Sequence, residues 1–242
     1  MNKYIFKPHV DILPPAQKSL WPELAAARQF GMVLYGGTAI ALHLGHRVSV
    51  DFDFFTHKPL DKNLIRLSFP FIRRSNVIQN ASDTYSVSVP FGETKDEVQV
   101  SFFGGISFGR VGVPCCTEDG VLQIASLDDL MATKLAVLFQ RVESKDYLDI
   151  EAMLKSGVSL EKGLSSARLL YGNSFQPSEC LKALAYFEGG DLKKLSEKTK
   201  EVLLSAAESV RELPPVTLLA SELAAPQNAC ELKQDRGIEH ER

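Results

Sequence analysis

The chain has 242 residues, 45% of them hydrophobic and 24% charged, with a formal net charge of −3 at pH 7. That composition is ordinary for a soluble globular protein with a sizeable core, and it gives no general electrostatic pull toward nucleic acid. No apolar run reaches the roughly 18 residues of a membrane span, and the start MNKYIFKPHVDILPP lacks the apolar core and cleavage site of a secretory signal. A cytoplasmic setting without membrane contact is therefore expected. Cys115, Cys116, Cys180 and Cys230 show no C-x-x-C spacing and no accompanying histidines, which predicts reduced thiols and no zinc site.

Residues 1–13 read as a loose lead-in, with Pro8, Pro14 and Pro15 discouraging regular structure. A helical pattern from Pro15 carries Leu20, Trp21, Leu24 and Ala27, with Pro22 splitting it, and Trp21 reads as a core plug against the sheet. Residues 32–35 are an apolar run long enough for one buried strand. Gly36-Gly37 allows a sharp turn and a close approach to a ligand, Thr38 stands where an N-cap belongs, and residues 39–44 form a short apolar helix ended by Gly45. Residues 47–55 then alternate. Val48, Val50, Phe52 and Phe54 fall on one side, and Arg47, Ser49, Asp51 and Asp53 fall on the other.

Two carboxylates one pleat repeat apart lie about 7 Å from each other on an extended strand, and their oxygens can converge on hard cations. Mg²⁺ (or Mn²⁺) takes such carboxylates together with substrate phosphates, and metal ions at such a site clamp an in-line phosphoryl displacement. The glycine turn and the helix N-terminus beside it supply N–H groups that favour phosphate. Asp51 and Asp53 are thus the candidate metal ligands, and Gly36, Gly37 and Thr38 the candidate phosphate cradle. Arg47, on the carboxylate face, either joins the cradle or pairs with an aspartate.

Residues 57–59 read as a loop and 60–71 as a helix lying back on the sheet, followed by the exposed pair Arg73-Arg74. Three further strands are predicted at 76–81, 84–90 and 97–103, with a hairpin turn over 91–96. Residues 121–125 suggest a last short strand. Ser126 with Asp129 approaches a capping box for a helix striped by Leu127, Leu130, Met131, Leu135 and Leu138. Lys134 and Arg141 are seven residues apart, two helical turns that place both on one face about 10 Å from each other. They can grip a triphosphate or simply flank a solvated helix. Helical patterns continue over 147–154, 160–171, 178–187 and 191–211; Pro214-Pro215 stops them, and from about 226 the chain is polar.

Gly36-Gly37-Thr38 followed by Asp51-x-Asp53 resembles the motif of polymerase-β-like nucleotidyltransferases, and the string GGTAIALHLGHRVSVDFDFF resembles the AbiEii/AbiGii-type nucleotidyltransferase toxins. Lys134-x(6)-Arg141-x(3)-Lys145-Asp146-x-x-Asp149 resembles that family's second signature. The resemblance implies an α/β (α+β) fold: a mixed sheet flanked by helices over 1–120, then a helical lobe over 121–242 completing the nucleotide site. It also implies NMP transfer from an NTP to an acceptor hydroxyl, with RNA such as tRNA as acceptor and a cognate antitoxin as partner. Under it Lys134 and Arg141 contact nucleotide phosphates, Asp146 is a candidate general base, and Asp149 pairs with Arg141 or Lys145. One departure stands out. The later strand on which the superfamily often carries a third acid holds Gln99 and Ser101, neither an ionised base, with Glu97 only at its start. The alternative is a degenerate transferase that binds nucleotide or a partner without catalysis.

Overall fold

The computed structural model describes residues 4–92 and 96–226. One mixed sheet of eight strands organises them, in the order β1-β7-β8-β2-β3-β6-β5-β4. Its strands are β1 (Ile5–Phe6), β2 (Val33–Tyr35), β3 (Asp51–Phe55), β4 (Asn76–Ala81), β5 (Thr84–Pro90), β6 (Glu97–Phe103), β7 (Cys115–Thr117) and β8 (Gln123–Ile124). The helices are α1 (Pro15–Leu20), α2 (Gly36–Leu44), α3 (Lys62–Ser68), α4 (Leu127–Val137), α5 (Ser144–Lys155), α6 (Leu160–Tyr171), α7 (Pro177–Leu184) and α8 (Glu197–Ser209). The sheet thus runs past residue 120, through β8, before helices take over.

Alternation decides which face of the central strands is dry. Phe52 and Phe54 of β3, Val98, Val100 and Phe102 of β6, and Tyr85 and Val87 of β5 are buried on one side. There Phe54 stacks on Phe102 at 5.7 Å and Trp21 packs at 6.4 Å from Phe52, the plug its sequence position suggests. Large apolar side chains removed from water in this way contribute about 1.5–3 kcal/mol each. The opposite face carries the polar partners in register: Tyr35 opposite Asp53, Asp53 beside Ser101, Ser101 opposite Ser86, and Ser86 opposite Gln79. A single polar row therefore crosses five strands.

The strands predicted at 76–81, 84–90 and 97–103 are present with those bounds as β4, β5 and β6, and Phe91 N donates to Asp96 O across the hairpin at 3.0 Å. Residues 93–95 of the predicted turn, the polar tail beyond 226, and Cys230 lie outside the described residues. Three local expectations are corrected. The lead-in is not loose: Ile5–Phe6 pairs parallel with β7, and Phe6 stacks on His43 at 4.5 Å. The strand expected from Arg47 begins only at Asp51, and Val48 and Val50 are 59% and 51% exposed. Side-chain bonds replace the ladder there, because the Thr38 hydroxyl lies 2.8 Å from the Ser49 hydroxyl and also donates to the Asp51 carbonyl. Finally, Cys115 and Cys180 are free thiols, but Cys116 is disulfide-bonded, against the expectation of reduced cysteines throughout.

The segment after α8 returns to the sheet. Arg110 N donates to Ala220 O at 2.9 Å, Gln123 and Ala225 exchange two hydrogen bonds, and Leu223 is fully buried. No helix among the described residues is long and apolar enough to cross a membrane.

Candidate active site

The site forms where β2 ends and α2 begins. Gly36 adopts φ +74°, and α2 starts there, with Tyr35 as the flanking residue. A Cβ on Gly36 would lie 2.7 Å from Asp53 Oδ2, and one on Gly37 would collide with the Arg47 guanidinium. Both positions need glycine for close approach, and Gly36 needs it for the turn as well. Thr38 is not the N-cap expected from the sequence. It lies inside the helix, buried, its hydroxyl spent on holding the chain that leads into Asp51. The first turn of α2 therefore faces the Asp53 carboxylate with its N–H groups free of intrahelical partners.

Asp51 and Asp53 share the cleft face of β3, as the alternation predicts, with Phe52 and Phe54 buried behind them. Beside them in β6 stand Gln99 and Ser101, in register with Asp51 and Asp53 respectively. Burial, and after it the charge of Asp51, raises the Asp53 carboxyl to about 6, against the opposing pull of Lys134, Arg141 and a hydrogen bond from Ser101. Among the described residues no group of three or more His, Cys, Asp or Glu side chains is arranged to hold a metal ion.

The far wall comes from the helical part of the chain. Lys134 lies in α4 and is almost wholly buried, its ammonium 2.8 Å from Asp146 Oδ1 and 2.9 Å from Asp149 Oδ2. α4 ends at Val137, so Arg141 is not on the same helix as Lys134, as the spacing suggested, but in the turn beyond it. The two nevertheless converge, because Arg141 Nε and Nη2 donate to the same Asp146 carboxylate at 2.9 and 3.1 Å. Burial alone would raise Asp146, but the bonds from Arg141 and Lys134 outweigh it and hold the carboxyl below its ordinary value.

Asp149 does not pair with Arg141 or Lys145. It is fully buried and receives Arg47 on both oxygens, at 2.6 and 2.9 Å, together with Lys134 and, at 2.8 Å, His46 Nε2. Burial opposes its ionisation, yet the hydrogen bonds from His46 and Arg47 keep it far below the usual carboxylate range. Arg47, Lys134 and Arg141 thus stand against four carboxylates in one connected group, which is short of positive charge at the Asp51–Asp53 end.

Between the sheet and this wall lies a cavity of about 480 Å³, lined by Asp51 and Asp53, by Lys134 and Arg141, and by the aromatic rings of Phe55 and Tyr171 among others. A second chamber of about 140 Å³ adjoins it and shares Gly37, Asp51, Asp53, Lys134 and Arg141. Gly36, Gly37, Asp51, Asp53, Lys134 and Arg141 all line the larger space, and Thr38 and Arg47 the smaller. Asp146 lies behind the cations, fully buried. Sequence reasoning missed His46, although it adjoins Arg47, and missed Ser86 and Gln79, which only strand register brings to the cleft.

Residues 24–215 match the family model described as nucleotidyl transferase AbiEii toxin, type IV TA system. An uncharacterized protein of Aquifex aeolicus (strain VF5) is 30% identical over 158 residues, 64% of this chain and 73% of that one. Among solved structures, MenT4, a nucleotidyltransferase toxin from Mycobacterium tuberculosis H37Rv, superposes with a TM-score of 0.55 at 13% identity, covering 81% of this chain and 82% of that one. That likeness shows a shared fold. With four-fifths of its length inside the family match and both motif groups converging on one cleft, the chain belongs to the AbiEii family of nucleotidyl transferase toxins of type IV toxin–antitoxin systems.

Proposed function

We propose that this cleft transfers a nucleoside monophosphate from an NTP to a hydroxyl of an RNA acceptor, with Mg²⁺ (or Mn²⁺) as cofactor, and that a cognate antitoxin restrains it in the cytoplasm. The observation that carries the reading is the convergence of Asp51 and Asp53 with Gly36-Gly37, Lys134 and Arg141 on one cavity. The pair of acids fits a divalent cation, since Asp53 ionises reluctantly beside Asp51 and, among the described residues, feels Lys134 and Arg141 through space but forms no ion pair with either. Among the described residues two carboxylates line the cavity, so the remaining ligands would be phosphate and water oxygens, the set Mg²⁺ prefers. Bound there, the metal would neutralise phosphate charge as it builds in the transition state.

The protein's own groups do the rest. The N–H groups at the start of α2 orient the phosphates. Lys134 and Arg141 offset the charge of the departing pyrophosphate, the kind of electrostatic stabilisation that dominates phosphoryl transfer. The acceptor oxygen bonds to the α-phosphorus, the bond to the β-bridging oxygen breaks, and pyrophosphate leaves with the electron pair while the hydroxyl proton passes to solvent. Asp146 positions Lys134 and Arg141. A carboxylate buried under two cations and held below its ordinary pKa is a weak base, so the role of proton acceptor does not suit it.

Incubation with each radiolabelled NTP and total RNA tests the reading, beside an Asp51→Ala/Asp53→Ala control. Label on RNA from the intact protein only is the expected result. Label that persists in the control overturns the mechanism, and nucleotide binding with no label anywhere favours the non-catalytic alternative, to which Gln99 and Ser101 in place of a third acid lend support.

A further inference from the structure

The two chambers that meet at the aspartates differ in charge. Lys134 and Arg141 stand in the wall that both chambers share, and the smaller adds Arg47 and Lys145, whereas the larger is floored beyond the aspartates by Ser101, Gln99, Ser86 and Gln79, all neutral. We propose that this neutral row is the track on which the end of the RNA acceptor lies, its attacking hydroxyl delivered beside Asp53. The inference rests on nucleotidyl transfer at this site and adds the residues that hold the second substrate.

In-line displacement fixes the direction. The attacking and leaving oxygens stand on opposite sides of the phosphorus. A leaving pyrophosphate belongs where the cations are densest, at the Lys134–Arg141 wall and the smaller chamber that adds Arg47 and Lys145, so the acceptor must arrive from the opposite side of the aspartates. On that side the register runs Asp53–Ser101–Ser86–Gln79 across β3, β6, β5 and β4. At about 4.8 Å per strand the row is about 14 Å long. It ends on β4, an edge strand whose six residues are all exposed, so a polymer threaded along it emerges directly into solvent.

The chemistry of the row suits that occupant. Hydroxyls and primary amides both donate and accept hydrogen bonds, which matches ribose hydroxyls and base edges. Phe55 and Phe103, neighbours in register and 5.2 Å apart edge-on, form the next row along the same face and line the cavity. Aromatic faces of this kind stack bases without regard to sequence. A second triphosphate grip would need cations here, and the row has none.

Steady-state transfer of label to total RNA, with RNA and NTP varied separately, tests the track. Gln79→Ala/Gln99→Ala is expected to raise the apparent KM for RNA about tenfold, the loss of one or two hydrogen bonds, while affinity for a non-hydrolysable NTP analogue holds. Gln79→Lys, at an exposed edge position, is expected to lower the RNA KM several-fold at low salt and to steepen its salt dependence by roughly one phosphate contact. An RNA KM unmoved by either variant, with transfer still dependent on Asp51 and Asp53, overturns the track and leaves the transferase reading intact. Failure of the intact protein to label RNA, or labelling indifferent to the two aspartates, overturns both.

Discussion

Arg47 grips Asp149 through two parallel bonds, Nε to Oδ1 at 2.6 Å and Nη2 to Oδ2 at 2.9 Å, and so ties the segment before β3 to α5. The pair explains why Gly37 has no side chain, since its Cβ would occupy the space of the guanidinium. Breaking a buried ion pair from one side strands the other charge, at a cost of about 3–5 kcal/mol. Asp149→Ala should therefore lower unfolding stability by about that amount in a urea titration, because His46 and Arg47 lose their carboxylate and Lys134 keeps only Asp146. Arg47→Lys should also destabilise, since an ammonium cannot reproduce a two-pronged contact.

The Asp51–Asp53 pair predicts a metal effect readable without any substrate. A ligand that binds only the folded state stabilises it by about 2.7 kcal/mol at a hundredfold excess over its Kd. Mg²⁺ should raise the Tm of the intact protein and leave that of Asp51→Asn/Asp53→Asn unchanged. In chelator the order reverses: Asp53→Asn alone should be about 1–2 kcal/mol more stable than the parent, because the fold disfavours the ionised Asp53 carboxyl.

Gly36 links the phosphate cradle to the metal platform. Alanine there must adopt φ +74° and place a methyl group 2.7 Å from Asp53 Oδ2. The backbone strain alone costs about 1–2 kcal/mol. The methyl must also displace the carboxylate, so Gly36→Ala should abolish the Mg²⁺-dependent rise in Tm while the protein remains folded by circular dichroism.

Much of this site was legible before the structure, for reasons that can be named. Period-two alternation puts Asp51 and Asp53 on one face, and the glycine pair marks the close approach, because both signals are local. Strands β4, β5 and β6 follow from the same alternation. What escaped depends on contacts distant in sequence. Val48 and Val50 continue the alternation yet lie outside the ladder, since Thr38 and Asp149 claim the backbone and side chain around them. Ile5–Phe6 is two residues long and pairs with a strand more than a hundred positions away, beyond the reach of any periodic pattern. Lys134 and Arg141 meet at Asp146 although the helix ends between them, so the two converge, but not along one helix face as their spacing suggests.

Asp146 separates two roles that sequence alone left joined. If it positions Lys134 and Arg141, Asp146→Asn keeps the shape, loosens both cations and weakens NTP binding about tenfold or more. The acid limb of the pH–rate profile should then stay where it is in the parent. A proton acceptor would behave differently, with kcat falling by about 10²–10⁴ at unchanged NTP affinity and the acid limb lost. Isothermal titration with an NTP analogue, together with pH–rate profiles of both proteins, decides between them.

His43 sets a pH sensitivity that begins above the carboxylate range. Its ring stacks on Phe6, its Nε2 lies 2.9 Å from the Ala125 carbonyl, and burial lowers its pKa from 6.5 to about 4. The unfolded chain therefore takes up this proton before the folded one does. Stability attributable to neutral His43 is complete above pH 6.5 and is lost as the pH falls toward about 4. For a half-buried ring the loss is about 1–2 kcal/mol. Asp146 and Asp149, both held below their ordinary values, add their losses only at lower pH, as acid titrates carboxylates that the fold keeps ionised. Asp53, whose carboxyl takes up its proton more readily in the folded chain, opposes that loss below about pH 6, so the His43 contribution is read as a difference between two proteins. His43→Gln keeps a donor for the Ala125 carbonyl but cannot be protonated, and from pH 6.5 to 4.5 its urea midpoint should gain steadily on that of the parent, by the equivalent of about 1–2 kcal/mol.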